Sequence, residues 1–150
     1  MKNVKICLAC SAGGHLTELM QLKELWKKRR HYWVSDKRSN AKEVARRESV
    51  YFTVVPARNP IRLAANFLQS LVIFIKERPD LVISTGADVA VPTCLIAKLF
   101  GKKVVYIESL AAVFSPSQSG KIMYGHADLF FYQWKGLGRK YTKGVYGKVL

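Results

Sequence analysis

The residues that decide the fold are 4–16, VKICLACSAGGHL. The first seven of them are mostly apolar and form a run of the length of a buried β-strand. Small residues follow at 11–14, and such a cluster indicates a tight turn. From residue 15 onward, apolar side chains recur at helical spacing, and the basic residues at 27–30 suit a helix C-terminus. The stretch therefore predicts a strand, a glycine turn and a helix over 15–28.

The same alternation continues along the chain. Short apolar runs predict further strands, and longer runs with helical spacing predict the helices between them. The strands are expected at 32–35, 50–55, 81–84, 103–107 and 129–132, and the helices at 40–47, 61–77, 89–100 and 119–127. This order predicts an α/β fold over residues 1–132, with one open parallel sheet and helices on both faces. Residues 133–150 hold five basic residues, four glycines and no acid, and we expect a basic tail there that is irregular or orders against another surface.

The composition is that of a globular and strongly basic protein. Of its 150 residues 49% are hydrophobic and 11% aromatic, which excludes a disordered chain. Lys and Arg number 25 against 10 Asp and Glu, so the net charge is +15. A surface with this charge favours nucleic acid, an anionic membrane surface or phosphorylated ligands as partners.

Several other classes of protein are excluded. The uncharged stretch 63–75 would span about 20 Å as a helix, less than the ~30 Å of a hydrocarbon core, and we expect no membrane-spanning helix. The N-terminus has no secretory pattern. Cys7 and Cys10 would lie about 10 Å apart on a strand, too far for a disulfide, and with Cys94 they are expected to be buried thiols. We expect no metal and no other cofactor, because no histidine cluster or second cysteine pair completes a site.

Ligands of an open parallel sheet bind beyond the carboxyl ends of its strands, where two titratable residues stand out. His15 lies on the glycine turn, at the start of a helix whose free N–H groups can hold a phosphate, and it suits a general base, a phosphate ligand or a cap of the turn. Glu108 ends a strand, where a carboxylate serves chemistry or pairs with a lysine. Two alternatives stay open. One is an NAD(P)-binding module that uses Asp36, although the third glycine of that motif is missing, and the other is a glycine turn without a ligand.

The predicted helix 61–77 carries more apolar surface than one sheet face requires. Part of it can dip into a bilayer surface, with Arg58, Arg62, Phe67 and Phe74 as the predicted membrane-surface residues. Core packing together with a partner interface explains the same pattern. The basic residues at 27–30 and 37–38 also suit a nucleic-acid-binding module, but no recognition motif accompanies them, and we expect no nucleic acid as a partner.

Several motifs in order resemble one family, the acceptor-side subunits of two-part glycosyltransferases that assemble lipid-linked oligosaccharides. This family includes asparagine-linked glycosylation protein 14 and bacterial capsule and exopolysaccharide counterparts. The chain is also similar to the N-terminal half of the peptidoglycan glucosaminyltransferase. The matching residues are SAGGHLTE (11–18), STGADVAVP (84–92), YIES (106–109), SPS (115–117), Gly120-Lys121, Tyr124, ADLF (127–130) and Gln133-Trp134.

The resemblance implies a Rossmann-like domain equivalent to the N-terminal half of a GT-B glycosyltransferase. It implies an acceptor-binding, membrane-recruiting subunit of an inverting, metal-independent enzyme that uses a UDP-sugar and a prenyl-diphosphate-linked saccharide. His15 and Glu108 are the catalytic residues that it implies. The residues expected to bind the acceptor and its phosphates are Ser11, Gly13, Gly14, Thr17, Glu18, Thr85, Gly86 and Ser109.

The resemblance also implies a partner, since the second GT-B domain would follow residue 150. We expect a separate subunit to carry the UDP-sugar site and to dock partly on the tail 133–150. Because eukaryotic relatives usually begin with a membrane anchor and this sequence does not, we expect a cytoplasmic protein peripheral to the inner face of the membrane. Many bacterial relatives have an arginine just after the Glu-Ser pair, where this chain has Ala111-Ala112. If that arginine binds phosphate in the relatives, the resemblance implies either weaker acceptor binding here or binding by other basic residues.

Overall fold

One parallel sheet organises the computed structural model, which describes residues 3–149. Its strands are β1 (Lys5–Cys10), β2 (Arg30–Ser35), β3 (Val50–Phe52), β4 (Leu81–Gly86), β5 (Lys103–Ile107), β6 (Leu129–Tyr132) and β7 (Val145–Tyr146). They lie in the order β3-β2-β1-β4-β5-β6-β7, and every neighbouring pair is parallel. The prediction of an open parallel sheet is confirmed.

Helices cover both faces of the sheet, as predicted. They are α1 (Gly14–Gln21), α2 (Lys23–Trp26), α3 (Ser39–Val44), α4 (Pro60–Glu77), α5 (Val91–Leu99) and α6 (Gln118–Tyr124). Buried side chains of α4, α5 and α6 join one hydrophobic cluster with the sheet, and those of α1, α2 and α3 join a second. The strand order reverses between β1 and β4, and the carboxyl ends of these two strands therefore define the ligand-binding edge.

The bounds of α4 follow from its sequence. Asn59 caps its N-terminus, because its Oδ1 accepts the N–H groups of Ile61 at 2.9 Å and Arg62 at 3.2 Å. Pro60 occupies the first turn, where the missing N–H costs nothing. The helix ends at Arg78, which adopts a left-handed conformation (φ 47°) directly before Pro79.

The predicted helix over 15–28 is interrupted at Leu22. In a continuous helix the carbonyl of Leu19 would accept the N–H of residue 23. Here it accepts the N–H of Leu22 and the indole N–H of Trp26, both at 3.2 Å. The buried indole thus satisfies the Leu19 carbonyl and divides the helix into α1 and α2.

The tail from residue 133 is ordered against the sheet, although only two short segments of it are regular. A 3₁₀ helix forms at Lys135–Arg139, and β7 extends the sheet by pairing with β6. Leu137 and Tyr141 are buried in the cluster below α4, α5 and α6. The hydrophobic core therefore continues past residue 132. Isolated buried residues between glycines have no periodicity, which is why the sequence pattern did not reveal them.

An apolar groove of about 660 Å³ lies on the face of the sheet that carries α1, α2 and α3. We call it the open-face groove. The side chains of β4, β5 and β6 that point to this face form its floor, and Leu22 and Leu25 form one wall. Leu25 is 58% exposed and Leu129 is 40% exposed. Residues 147–149 border the groove, so the tail lies directly beside it.

The outer face of α4 is apolar and exposed. Ile61, Leu68, Val72 and Ile75 are 81%, 64%, 60% and 52% exposed, and together they form the α4 stripe. Phe74 lies on the inner face instead, buried with its ring centroid 5.0 Å from that of Phe100. The prediction that Phe74 faces a membrane was therefore wrong.

None of the helices within residues 3–149 combines the length and hydropathy needed to cross a bilayer. Phe67, the other aromatic membrane-surface residue predicted, is half-buried against the core.

The cysteines are buried free thiols, as predicted. Burial raises the pKa of all three, in the case of Cys94 to about 12. They therefore stay protonated and unreactive at neutral pH. Across residues 3–149, no three His, Cys, Asp or Glu side chains are grouped as a metal site requires.

Candidate active site

The glycine turn after β1 is held by two side chains from the region of α3. Asp36 Oδ1 accepts the N–H of Ala12 at 2.7 Å. Asn40 bonds Gly13 twice, because its Oδ1 accepts the N–H at 2.9 Å and its Nδ2 donates to the carbonyl at 3.1 Å. Gly13 has φ 92°, a conformation that glycine adopts without strain. The N–H groups of Ala12 and Gly13 are thus occupied, and the donors left for an anion are those of residues 14–16 in the first turn of α1.

Asn40 is a site residue that sequence analysis missed. Its amide reaches 27 residues back along the chain to fix the turn. The sequence feature that could have indicated this contact is the position of Asn40 at the start of the helix after β2, the strand that lies beside β1 in the sheet. Asp36 had been considered as a ribose ligand, but its oxygens accept bonds from Ala12 and from the guanidinium of Arg38. This occupancy argues against the NAD(P) alternative.

His15 is fixed by a reciprocal pair of hydrogen bonds with Thr85. Its Nδ1 lies 2.7 Å from the Thr85 carbonyl oxygen, and Thr85 Oγ1 donates to the His15 carbonyl at 2.6 Å. Because a carbonyl oxygen only accepts, Nδ1 carries the proton in the neutral ring, and Nε2 has a free lone pair. His15 is thereby oriented to accept a proton through Nε2. The structure thus brings together two residues that are 70 positions apart and that sequence analysis assigned to one site.

A small pocket of about 300 Å³ opens beside His15, and we call it the serine pocket. Four serines line it together with His15, alanines and a proline, and no Lys or Arg takes part. The serines are Ser109, Ser115, Ser117 and Ser119. Hydroxyl groups and a neutral wall suit a ligand that itself carries hydroxyl groups. His15 lines this pocket, so a hydroxyl bound in it would lie close to the His15 ring.

Glu108 does not reach this pocket. It is fully buried, and its Oε1 accepts bonds from Ser109 N at 2.9 Å and Ser117 Oγ at 2.6 Å. Its Oε2 accepts the N–H of Ser117 at 3.1 Å and the hydroxyl of Tyr141. Four donors therefore hold the carboxylate within the protein. This arrangement contradicts the catalytic role predicted for Glu108 and makes it the anchor of the loop 108–117, which forms the wall of the serine pocket.

The neighbours of Glu108 fit this anchoring role. A Cβ on Gly120 would lie 1.9 Å from Glu108 Oε2, so only glycine fits at that position of α6. Burial, and next the hydrogen bond to Glu108, raise the pKa of Tyr141. The Tyr141 hydroxyl therefore remains a donor.

Glu18, predicted to bind the acceptor, is also buried and supports the same loop. Its Oε1 accepts the N–H of Leu110 at 3.1 Å, and its Oε2 accepts from Gln133 Nε2 at 3.1 Å. Burial raises the pKa of Glu18. Gln133, which the sequence analysis noted only as part of the family resemblance, is fully buried. It also donates to the Glu108 carbonyl and accepts the N–H of Val149. One amide thus joins α1, the pocket loop and the tail.

The remaining predicted residues surround the carboxyl ends of β1 and β4. Thr17 is exposed, and its hydroxyl donates to the Gly13 carbonyl at 3.2 Å. Ser11 donates its N–H to the Gly86 carbonyl at 3.2 Å. Gly86 has φ 106°, and a Cβ there would meet the Tyr106 hydroxyl at 2.5 Å and His15 Cε1 at 3.7 Å. Gly86 is therefore required beside His15.

A second pocket, of about 690 Å³, lies on the other side of Ala87, and we call it the basic pocket. The carboxyl ends of β2 and β3 and the start of α4 form its walls, and Lys37, Arg38 and Arg62 contribute cationic groups. Ala87 lines both pockets, so the two are adjacent along the edge of the sheet. Arg58 is exposed and lies between β3 and α4.

The sequence matches the family model described as "Oligosaccharide biosynthesis protein Alg14 like" over residues 6–150. A relative in Homo sapiens, "UDP-N-acetylglucosamine transferase subunit ALG14", is 29% identical over 97% of this chain and 82% of that protein. A Polaromonas protein, "UDP-N-acetylglucosamine--N-acetylmuramyl-(pentapeptide) pyrophosphoryl-undecaprenol N-acetylglucosamine transferase", is 26% identical over 91% of this chain and 40% of that protein.

Solved structures share the fold. The Acinetobacter baumannii MurG structure superposes with a TM-score of 0.70 at 16% identity, over 87% of this chain and 41% of MurG. A UDP-N-acetylglucosamine 2-epimerase from Rickettsia bellii superposes with a TM-score of 0.73 at 13% identity, over 93% of this chain and 41% of the epimerase. The chain thus spans about two fifths of these larger proteins. The predicted likeness to the N-terminal half of a GT-B enzyme is confirmed.

Proposed function

The chain belongs to the Alg14-like family of oligosaccharide biosynthesis proteins, and from this we propose that it binds the acceptor in a two-component, inverting glycosyltransferase. The acceptor is a saccharide linked to a prenyl diphosphate, and a second subunit holds the UDP-sugar donor. Family membership confirms the prediction of a glycosyltransferase subunit. The acceptor class agrees with the pyrophosphoryl-undecaprenol named for the Polaromonas relative.

The observation that carries this proposal is the orientation of His15 beside the serine pocket. The acceptor sugar occupies the pocket with one hydroxyl next to Nε2. As that oxygen forms a bond to the anomeric carbon of the donor, its proton passes to His15 Nε2. The bond between the anomeric carbon and UDP breaks, and UDP leaves with the electron pair. Attack opposite the leaving group inverts the anomeric configuration.

The second subunit docks on the open-face groove and on the tail from residue 133. The groove is lined almost wholly by apolar side chains, and Leu25 and Leu129 remain exposed in it. The edge strand β7 is adjacent, with Val145 and Tyr146 exposed at 44% and 40%. Exposed apolar surface continuous with an unpaired sheet edge is typical of a protein interface. The human relative is named as a transferase subunit, which fits a partner at this surface.

The α4 stripe carries the chain to the inner surface of the membrane. Its apolar side chains project from one side of an 18-residue helix. Arg58 stands just before the helix N-terminus, where it meets anionic headgroups. This surface lies on the face of the sheet opposite the open-face groove, so membrane and partner can bind together.

We expect the purified chain alone to transfer no sugar and the reconstituted pair to transfer it. The second component is a separate polypeptide that carries a nucleotide-sugar site, co-expressed with this chain. A panel of UDP-sugars and a prenyl-diphosphate-linked saccharide are the substrates, and NMR gives the configuration of the new glycosidic bond. Transfer by this chain alone, or retention of the donor configuration, contradicts the proposal.

The double variant Leu25→Glu/Leu129→Glu tests whether the second subunit docks on the open-face groove. Two carboxylates in the apolar groove should weaken partner binding at least 100-fold, because charge is costly to bury at an interface. Leu68→Glu/Val72→Glu on the α4 stripe is the matched control and should leave the pair intact. Undiminished co-purification of the groove variant would place the partner elsewhere.

We expect Ile61→Ser/Leu68→Ser to weaken binding of the chain to phosphatidylglycerol vesicles by about tenfold or more. The reason is that transfer of each apolar side chain from water into the bilayer surface lowers the free energy. Co-sedimentation measures the bound fraction. Leu25→Ser/Leu129→Ser removes the same kind of apolar surface from the opposite face and serves as the control. Equal vesicle binding by the two double variants would contradict the assignment of the α4 stripe.

A further inference from the structure

The two pockets at the ligand edge differ in charge although they are neighbours. The serine pocket, beside His15, has no Lys or Arg in its lining. The basic pocket, on the other side of Ala87, is lined by three cationic side chains. An acceptor with a neutral sugar at one end and an anionic group next to it matches this order. The charge contrast therefore gives a direction to the bound molecule.

The cations of the basic pocket are available to a ligand. Across the described residues, neither Lys37 nor Arg62 takes part in an ion pair. Arg38 is held in place by Asp36 and by a 2.7 Å bond from Nη2 to the Ala12 carbonyl. This orients its guanidinium beside the glycine turn.

Two carboxylates also line the basic pocket, and both already have partners. Asp36 is buried and bonded to Ala12 N and Arg38. Asp88 Oδ2 accepts the N–H of Ala57 at 3.0 Å. Within residues 3–149, neither carboxylate forms an ion pair with Lys37 or Arg62, so these two cations can bind an added anion.

The glycine turn is less suited to the diphosphate than its sequence indicated. The N–H groups of Ala12 and Gly13 are occupied by Asp36 and Asn40. A diphosphate carries several oxygens that need partners, and charged side chains bind it more strongly than neutral donors do. The three cations of the basic pocket supply such partners.

The position of Arg62 also directs the lipid. Arg62 lies in the first turn of α4, one residue after Ile61, the first member of the α4 stripe. A diphosphate bound by Arg62 would leave its prenyl chain at the end of this apolar surface. Sugar, diphosphate and lipid would thus follow one line, from His15 past Ala87 to the α4 stripe.

We propose that the basic pocket binds the diphosphate of the acceptor, with Lys37 and Arg62 as its charge partners and Arg38 as an oriented donor. This proposal rests on the proposed function, since it names where part of that acceptor lies. The two pockets bind different parts of the acceptor: the serine pocket binds the sugar and the basic pocket binds the diphosphate.

The test is a calorimetric titration of the full chain with geranyl diphosphate, a soluble prenyl diphosphate. Lys37→Gln/Arg62→Gln should raise the Kd at least tenfold, because two charge-assisted contacts are lost. Lys28→Gln/Lys121→Gln removes the same charge from distant exposed positions and should change the Kd less than twofold. Equal Kd values for both double variants, or no binding of geranyl diphosphate to the unaltered chain, overturn the proposal.

A vesicle arm separates the substrate diphosphate from a lipid headgroup. Lys37→Gln alone should weaken binding of geranyl diphosphate but leave binding to phosphatidylglycerol vesicles unchanged. A parallel loss of vesicle binding would make the pocket a headgroup contact and overturn the proposal.

The reconstituted pair gives a third readout. Lys37→Gln/Arg62→Gln should raise KM for the lipid-linked acceptor at least tenfold with kcat within threefold, and an unchanged KM overturns the proposal. If the unaltered pair transfers no sugar, the proposed function fails, while the titration still decides whether the pocket binds a diphosphate.

Discussion

His15→Ala should lower kcat of the reconstituted pair by about 10²–10⁴-fold, the usual contribution of a positioned general base. Nε2 is the free nitrogen of His15, and Thr85 fixes the ring through Nδ1. Alanine removes the proton acceptor but leaves the serine pocket in place, so KM for the acceptor should change little. Steady-state assays with the lipid-linked acceptor measure both parameters.

His126→Ala is the matched control for this prediction. His126 also has Nδ1 bonded to a backbone carbonyl, that of Ile122 at 2.8 Å, but it is exposed and does not line the serine pocket. Its loss should leave kcat within twofold. A kcat for His15→Ala within threefold of the unaltered pair would show that another group takes the proton.

Glu108→Gln should lower the free energy of unfolding by about 3–5 kcal/mol, because an amide keeps only one of the two acceptor oxygens and hydrogen bonds to the buried carboxylate, worth about 1.5–3 kcal/mol each, are lost. The amide has a single acceptor oxygen, and its NH2 group would face the N–H of either Ser109 or Ser117, neither of which can accept a hydrogen bond. For a domain of this size the melting temperature should fall by roughly 10 °C. Thermal unfolding followed by circular dichroism measures the change.

Tyr141→Phe tests the same network from its other end. It removes one of the four donors to Glu108 and should cost only about 1–3 kcal/mol, because three donors remain. A Glu108→Gln protein that keeps its melting temperature but loses turnover would return Glu108 to the catalytic role that the structure contradicts.

The order of the elements was predictable because strand and helix patterns alternate along nearly the whole chain. The glycine turn after β1 is a local signal, and it appears where the sequence predicts it. His15 lies at the carboxyl ends of the strands, where the sequence predicts it, and its role there stays a prediction. Its bond to Thr85 was not predictable in detail, because it joins residues 70 positions apart.

Glu108 shows the limit of such analysis most clearly. A carboxylate at the end of a strand is unusual, and the sequence pattern indicated that much. Whether it faces a ligand or is enclosed depends on donors that lie 9 and 33 residues further on, at Ser117 and Tyr141. The prediction for Phe74 was wrong for a similar reason, because the sequence of an apolar helix does not indicate which aromatic side chain faces the core.

The open-face groove leaves apolar side chains of this chain exposed to water whenever no partner is bound. When the chain is produced without its partner subunit, the exposed apolar side chains of the groove should bind other copies of the chain and chaperones that recognise apolar surface. Quality-control proteases should then shorten the lifetime of the chain. Its cellular abundance would then follow that of the partner subunit, so the two gene products would stay in balance without a dedicated regulator.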